Sequence, residues 1–133
     1  MNEFGGFLGW VTAVCYFIAV ANYFVKRIFR KWIVKLPKES IVRTDYQKGM
    51  LLLVRYHRYF GMAAGGFAVA HLLWQINFAR VSYSGIAATV LMAATAVMGI
   101  AVAYGHKTGV LKAHRPVSMV LLAAIVFHLL TKI

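Results

Sequence analysis

The chain has 133 residues, enough for one compact unit, and 62% of them are hydrophobic, with a mean hydropathy of +0.72. Soluble domains hold roughly 45–50% apolar residues; the excess here falls in long unbroken blocks, which argues against a soluble fold and for membrane spans. A net charge of +12, from 15 basic and 3 acidic residues, would suit nucleic acid. The basic residues stand between apolar blocks, however, so they are assigned to membrane topology and no nucleic-acid partner is expected.

The first apolar block, residues 4–25, begins with Gly5, Gly6 and Gly9 and carries Cys15, the chain's single cysteine. One cysteine excludes an internal disulfide, and the lack of C-x-x-C-H excludes covalent c-type haem attachment. No basic region precedes this block, so a retained span is expected rather than a cleaved signal peptide. Residues 26–48 follow as a basic loop, with room for an interfacial helix. A second span is expected over residues 49–78, longer than a bilayer requires and therefore tilted or projecting. A third covers residues 84–104. The fourth, residues 113–131, has Pro116 near its start, where a first-turn proline loses no intrahelical bond.

The charges divide by side. The first loop, Arg55 and Arg58, and the third connection together hold 13 basic residues, against Arg80 and Lys132 on the other side. The positive-inside rule then gives an all-α, transmembrane, up-down-up-down four-helix bundle with both termini outside and both basic loops in the cytoplasm. The chain forms a single domain. Its expected location is a bacterial inner membrane, crossed several times and surrounded by lipid. Trp10, Trp74 and Trp32 suit the two interfaces.

Four histidines stand out. Residues 57–71 read HRYFGMAAGGFAVAH and residues 114–128 read HRPVSMVLLAAIVFH. Each segment opens with His-Arg and closes on a histidine after the same interval. In a helix, residues 14 apart are separated by about 21 Å of rise and nearly four whole turns. His57 and His71 therefore share one face of the second span, and His114 and His128 one face of the fourth. Spans two and four run parallel in such a bundle, so His57 meets His114 at the inner level and His71 meets His128 at the outer one. Taken singly, a membrane histidine is usually an interhelical hydrogen-bonding residue. The joint pattern points instead to two noncovalent haem b groups, each clamped by two imidazoles. Zinc is poorly served, because closed zinc sites want four ligands. Gly61 and Gly99, at the depth of the inner pair, are expected to let a flat ring approach the backbone. Gly85 lies too near the outer boundary to match His71. Arg58 and Arg115 are candidates to pair with anionic propionates, with Arg55 a further inner candidate and Arg80 and Lys132 outer ones.

These residues resemble the two-haem cytochrome b core, whose four-helix bundle carries paired histidines on its second and fourth helices with the same H-x13-H spacing. The segment RYHRYFGMAAGGFAVAH, residues 55–71, is similar to that family's second helix, with an arginine before the first ligand and a glycine soon after. Ferric-reductase-type membrane domains share such a core. The ordered glycine pairs of helices one and three are only partly present, and the additional helices and quinol-site loops of the respiratory-complex members are absent. The resemblance implies electron transfer across a membrane, within a redox complex and with a redox protein partner.

A quinone site is the next expectation, with Tyr104, His106 and Asp45 as its proton-handling groups. The chain would then be the membrane-anchor subunit of a larger oxidoreductase. A haem-free small transporter or scaffold is the rival from another class. It is disfavoured because spans two, three and four contain no carboxylate.

Overall fold

A computed structural model describes residues 3–105 and 108–131. The described residues form four α-helices, α1 (Glu3–Lys31), α2 (Ile41–Phe78), α3 (Tyr83–Ala103) and α4 (Thr108–Leu130), with one 3-10 turn at Ile33–Lys35 and no strand. The apolar blocks supply the helices, and end chemistry trims them. Glu3 stands in the first turn of α1, and Arg30 and Lys31 in its last, each complementing the helix dipole. The Ser82 hydroxyl caps α3 by accepting from the Gly85 amide at 3.2 Å. Gly105, at φ 88°, reverses the chain after α3, a conformation that favours glycine.

The segment expected as a basic loop is mostly helix. α1 runs on to Lys31 and α2 begins at Ile41, so only residues 32–40 connect them and no separate interfacial helix exists among them. The extensions hold each other. Tyr46 donates its hydroxyl to the Val25 carbonyl at 3.1 Å, and its ring stacks on Phe29 with centroids 6.2 Å apart. Arg43 closes the turn on the Leu36 carbonyl at 2.8 Å. Pro116 also departs from expectation. α4 starts at Thr108, so the proline is interior and not in the first turn. The bond lost is that to the carbonyl of Lys112, an exposed residue at the helix end.

Among the described residues, three helical segments are long and apolar enough to cross a membrane: Glu3–Lys35, Tyr83–Ala103 and Thr108–Leu130. α2 has the length, at 38 residues, but falls short on apolarity, which differs from the four apolar spans expected. Arg58, His57, His71 and Gln75 interrupt it, and all four line the cavities described below.

α1 packs along α2, and α3 along α4. The two pairs meet through α2 with α3 and, more narrowly, α1 with α4. One core joins all four helices, built from Ala13, Tyr16 and Val20 of α1, Ala64 and Ala68 of α2, Met92 of α3, and Leu121 and Ile125 of α4. The Tyr16 hydroxyl donates to the Ser118 carbonyl and ties α1 to α4. Leu121 is the largest side chain with no exposure at all. Leu121→Ala should lower stability by about 2–5 kcal/mol through lost packing, read as a drop in the unfolding midpoint of the detergent-solubilised protein.

Candidate functional site

α2 and α4 face each other across the diagonal of the four helices. Their Cα atoms nowhere come within 8 Å among the described residues, and two cavities open between them. The larger, of about 920 Å³, is lined by His57 and His114; the smaller, of about 430 Å³, by His71 and His128. Each cavity thus receives one imidazole from α2 and one from α4, in the pairing the sequence interval predicts. Met92 of α3 lines both and lies between them in the core. Both volumes fall in the range of about 300–1,000 Å³ that holds small molecules and cofactors.

The imidazoles are oriented by their neighbours. His57 Nδ1 lies 2.8 Å from the Ala19 carbonyl, and His71 Nδ1 lies 2.9 Å from the Gly5 carbonyl. A carbonyl only accepts, so in each ring Nδ1 carries the hydrogen. The neutral ring then keeps its lone pair on Nε2, the tautomer suited to ligating a metal. The acceptors Gly5 and Ala19 are separated on α1 by the same 14 residues that separate the two histidines on antiparallel α2. His128 Nδ1 lies 2.9 Å from Ser84 Oγ, which is 3.5 Å from Ser82 Oγ. His114 Nδ1 is buried and makes no hydrogen bond of ordinary geometry, although the Thr95 backbone is near enough to influence it.

Glycines let three of these rings sit against a neighbouring helix. A Cβ on Gly9 would lie 3.3 Å from His71 Cε1, one on Gly85 3.2 Å from His128 Cε1, and one on Gly99 3.4 Å from His114 Cε1. Gly85, set aside in the sequence as too near the boundary, belongs to the smaller cavity. It stands 14 residues before Gly99, which repeats the histidine interval and is the signal that identifies it. Gly61 lines the larger cavity with nothing within 4 Å of its Cβ position, so a side chain there would enter open space. Gly65 and Gly66 likewise have no neighbour within 4 Å but line neither cavity.

The larger cavity is strongly basic. Arg58 and Arg115 line it as expected, and Lys26 and Arg30 of α1 join them. The sequence reading missed this last pair, although Asn22, Lys26 and Arg30 recur every fourth residue and so form one helix face. Arg80 lines the smaller cavity, Arg55 neither. All three acidic residues of the chain are exposed and lie outside both cavities. Of the groups expected to handle quinone protons, Tyr104 lines the larger cavity and Asp45 does not; it pairs with Lys48 at 3.8 Å. His106 and Lys132 lie outside the described residues.

Among the described residues no group of three or more histidine, cysteine or acidic side chains comes together to hold a metal ion. A closed site built from protein ligands alone is therefore not offered. A metal already held by a planar ring would need only two protein ligands, and each cavity offers two imidazoles. No protein-family model, curated protein or solved structure matches the chain.

Proposed function

We propose that the chain is a two-haem b-type cytochrome that carries electrons across a membrane between a donor and an acceptor on opposite faces, as part of a redox complex. The observation that carries this proposal is the pairing itself: two cavities, each lined by one histidine of α2 and one of α4. His57 and His114 would hold one haem b, His71 and His128 the other. Haem, when bound, supplies one-electron redox chemistry.

The protein's own residues do the rest. The Gly5 and Ala19 carbonyls fix the imidazole tautomer on α2, and hydrogen bonds of this kind orient ligands and raise their basicity. Gly9, Gly85 and Gly99 leave the rings room against α1 and α3. Arg58 and Arg115 offer cations to the carboxylates of the inner group. Arg80 does so for the outer one. The histidine interval corresponds to about 21 Å of rise, a large part of the roughly 30 Å hydrocarbon thickness.

In this proposal all four helices cross the membrane in up-down-up-down order. The basic end, carrying the α1 and α2 extensions, faces the cytoplasm, and both termini face out. α2 crosses despite its lower apolarity because His57, Arg58, His71 and Gln75 line the cavities. Its 38 residues span about 57 Å at helical rise, so its first turns project from the bilayer beside the end of α1.

The test is a haem assay with a reduced-minus-oxidised spectrum of the purified protein. The expected result is noncovalent haem b at about two groups per chain, one for each facing imidazole pair. Protein purified from haem-replete cells without visible absorbance would sink the proposal.

A further inference from the structure

The larger cavity holds more charge and more space than the smaller one. It is more than twice the volume of the smaller one, though both present the same two imidazoles. The additional wall is polar and basic, with Asn22, Lys26, Arg30, Arg58 and Arg115 around it. Lys26 stands near enough to Arg30 and Arg115 for their charges to repel one another. The single ion pair among the described residues, Lys48 with Asp45, lies elsewhere. Asn22 adds a buried Oδ1 with no hydrogen-bond partner. An amide can turn over to present its NH₂ group instead, so this side chain can donate to an anion.

Lys26 is half-buried and Arg30 and Arg115 are exposed; an anion beside them would relieve their mutual repulsion. A haem carries two propionates, and Arg58 with Arg115 suffices for them. The surplus, Lys26 and Arg30, lies on the α1 face that also carries Asn22.

We infer that the larger cavity includes a binding site for a phosphate group, held by Lys26 and Arg30 with Asn22 as a neutral donor. The phosphate belongs to an anionic lipid headgroup or to a soluble phosphate; basic pockets between membrane helices suit the first, and the charge pattern suits both. The count of surplus cations rests on the proposed haem; without haem the surplus only grows.

The experiment uses the full chain purified in phosphate-free detergent. Inorganic phosphate is titrated in one arm. In the other, the protein is placed in nanodiscs of phosphatidylcholine with or without phosphatidylglycerol, and co-purifying phospholipid is measured. Wild type is compared with Lys26→Gln/Arg30→Gln and with Lys35→Gln/Lys38→Gln. The second variant removes equal charge from exposed positions outside the cavity. Binding in at least one arm should weaken about tenfold or more in the first variant and change little in the second. Dependence on phosphatidylglycerol identifies the lipid source; a response to inorganic phosphate identifies the soluble one. Equal weakening in both variants, or no phosphate binding in either arm, overturns the inference. Haem content is read in parallel and should be unchanged in Lys26→Gln/Arg30→Gln. Its loss there would assign these cations to the propionates and overturn the inference. Wild-type protein without haem would sink the cytochrome proposal and leave the phosphate result to stand alone.

Discussion

Replacing His71 or His128 with alanine should halve the haem content of the purified chain and leave the other half intact. His57→Ala or His114→Ala should do the same from the other cavity. The expectation of selectivity follows from the geometry. Each histidine lines one cavity only, and Met92 and the shared core stand between the two. The size of the effect follows from the proposed role as haem ligands. Removing a hydrogen-bond partner of a metal ligand already costs about 10–100-fold in affinity, so removing the ligand itself should empty the site under purification. A pyridine haemochrome assay per mole of protein reads the content, and a redox titration should show one wave where the wild type shows two. Circular dichroism should remain helical, because no histidine belongs to the buried core. Loss of all haem from every single variant would mean that the cavities do not act as independent sites.

The helices were legible wherever apolar composition decides them. Blocks 4–25, 84–104 and 113–131 correspond to α1, α3 and α4, though α1 and α4 extend further. The extensions were illegible because their charges read as loop. Lys26, Arg27, Arg30 and Arg43 are good helix formers, and the contacts that hold them, Tyr46 with Val25 and Phe29, join residues about 20 apart in sequence. Hydropathy says nothing of such pairs. Pro116 misled for a related reason. A proline rule favours the first turn, whereas here the missing donor concerns only a carbonyl near an exposed helix end.

The histidine pairing was legible because helical geometry turns a repeated interval into a repeated face. Its supports were legible only in part. Gly85 and Gly99 echo the interval in sequence, but the Gly5 and Ala19 carbonyls are backbone groups whose role depends on where α1 packs. No residue identity announces them. Asn22, Lys26 and Arg30 form a visible stripe, yet which neighbour that stripe faces is a property of packing. The charges on α1 therefore read as topology signals until the cavity places them beside His57 and His114.

The glycines beside the imidazoles give the second large effect expected under the proposed haem binding. Gly9→Val and Gly85→Val should impair the smaller cavity alone, and Gly99→Val the larger one alone. Alanine at Gly99 would rest 3.4 Å from the His114 ring, an ordinary contact, and would gain helix propensity of up to about 1 kcal/mol. Gly99→Ala should therefore be neutral or slightly stabilising. At Gly85 even a Cβ would meet His128 Cε1 at 3.2 Å and Ser82 Oγ at 3.0 Å. Ser82 is the α3 cap, so the backbone there is less free to yield. Branched side chains at these positions must displace an imidazole or push two helices apart. Such overpacking costs about 1–3 kcal/mol, which at 1.4 kcal/mol per decade is about five- to 150-fold in affinity for whatever the imidazoles hold. Gly65→Val supplies the contrast, since its Cβ meets nothing within 4 Å and lines neither cavity. Haem retention during gel filtration, compared across the four valine variants, should fall for Gly9, Gly85 and Gly99 and hold for Gly65. If Gly65→Val instead loses haem as readily as the others, these glycines serve helix packing in general and the imidazoles are not held by them.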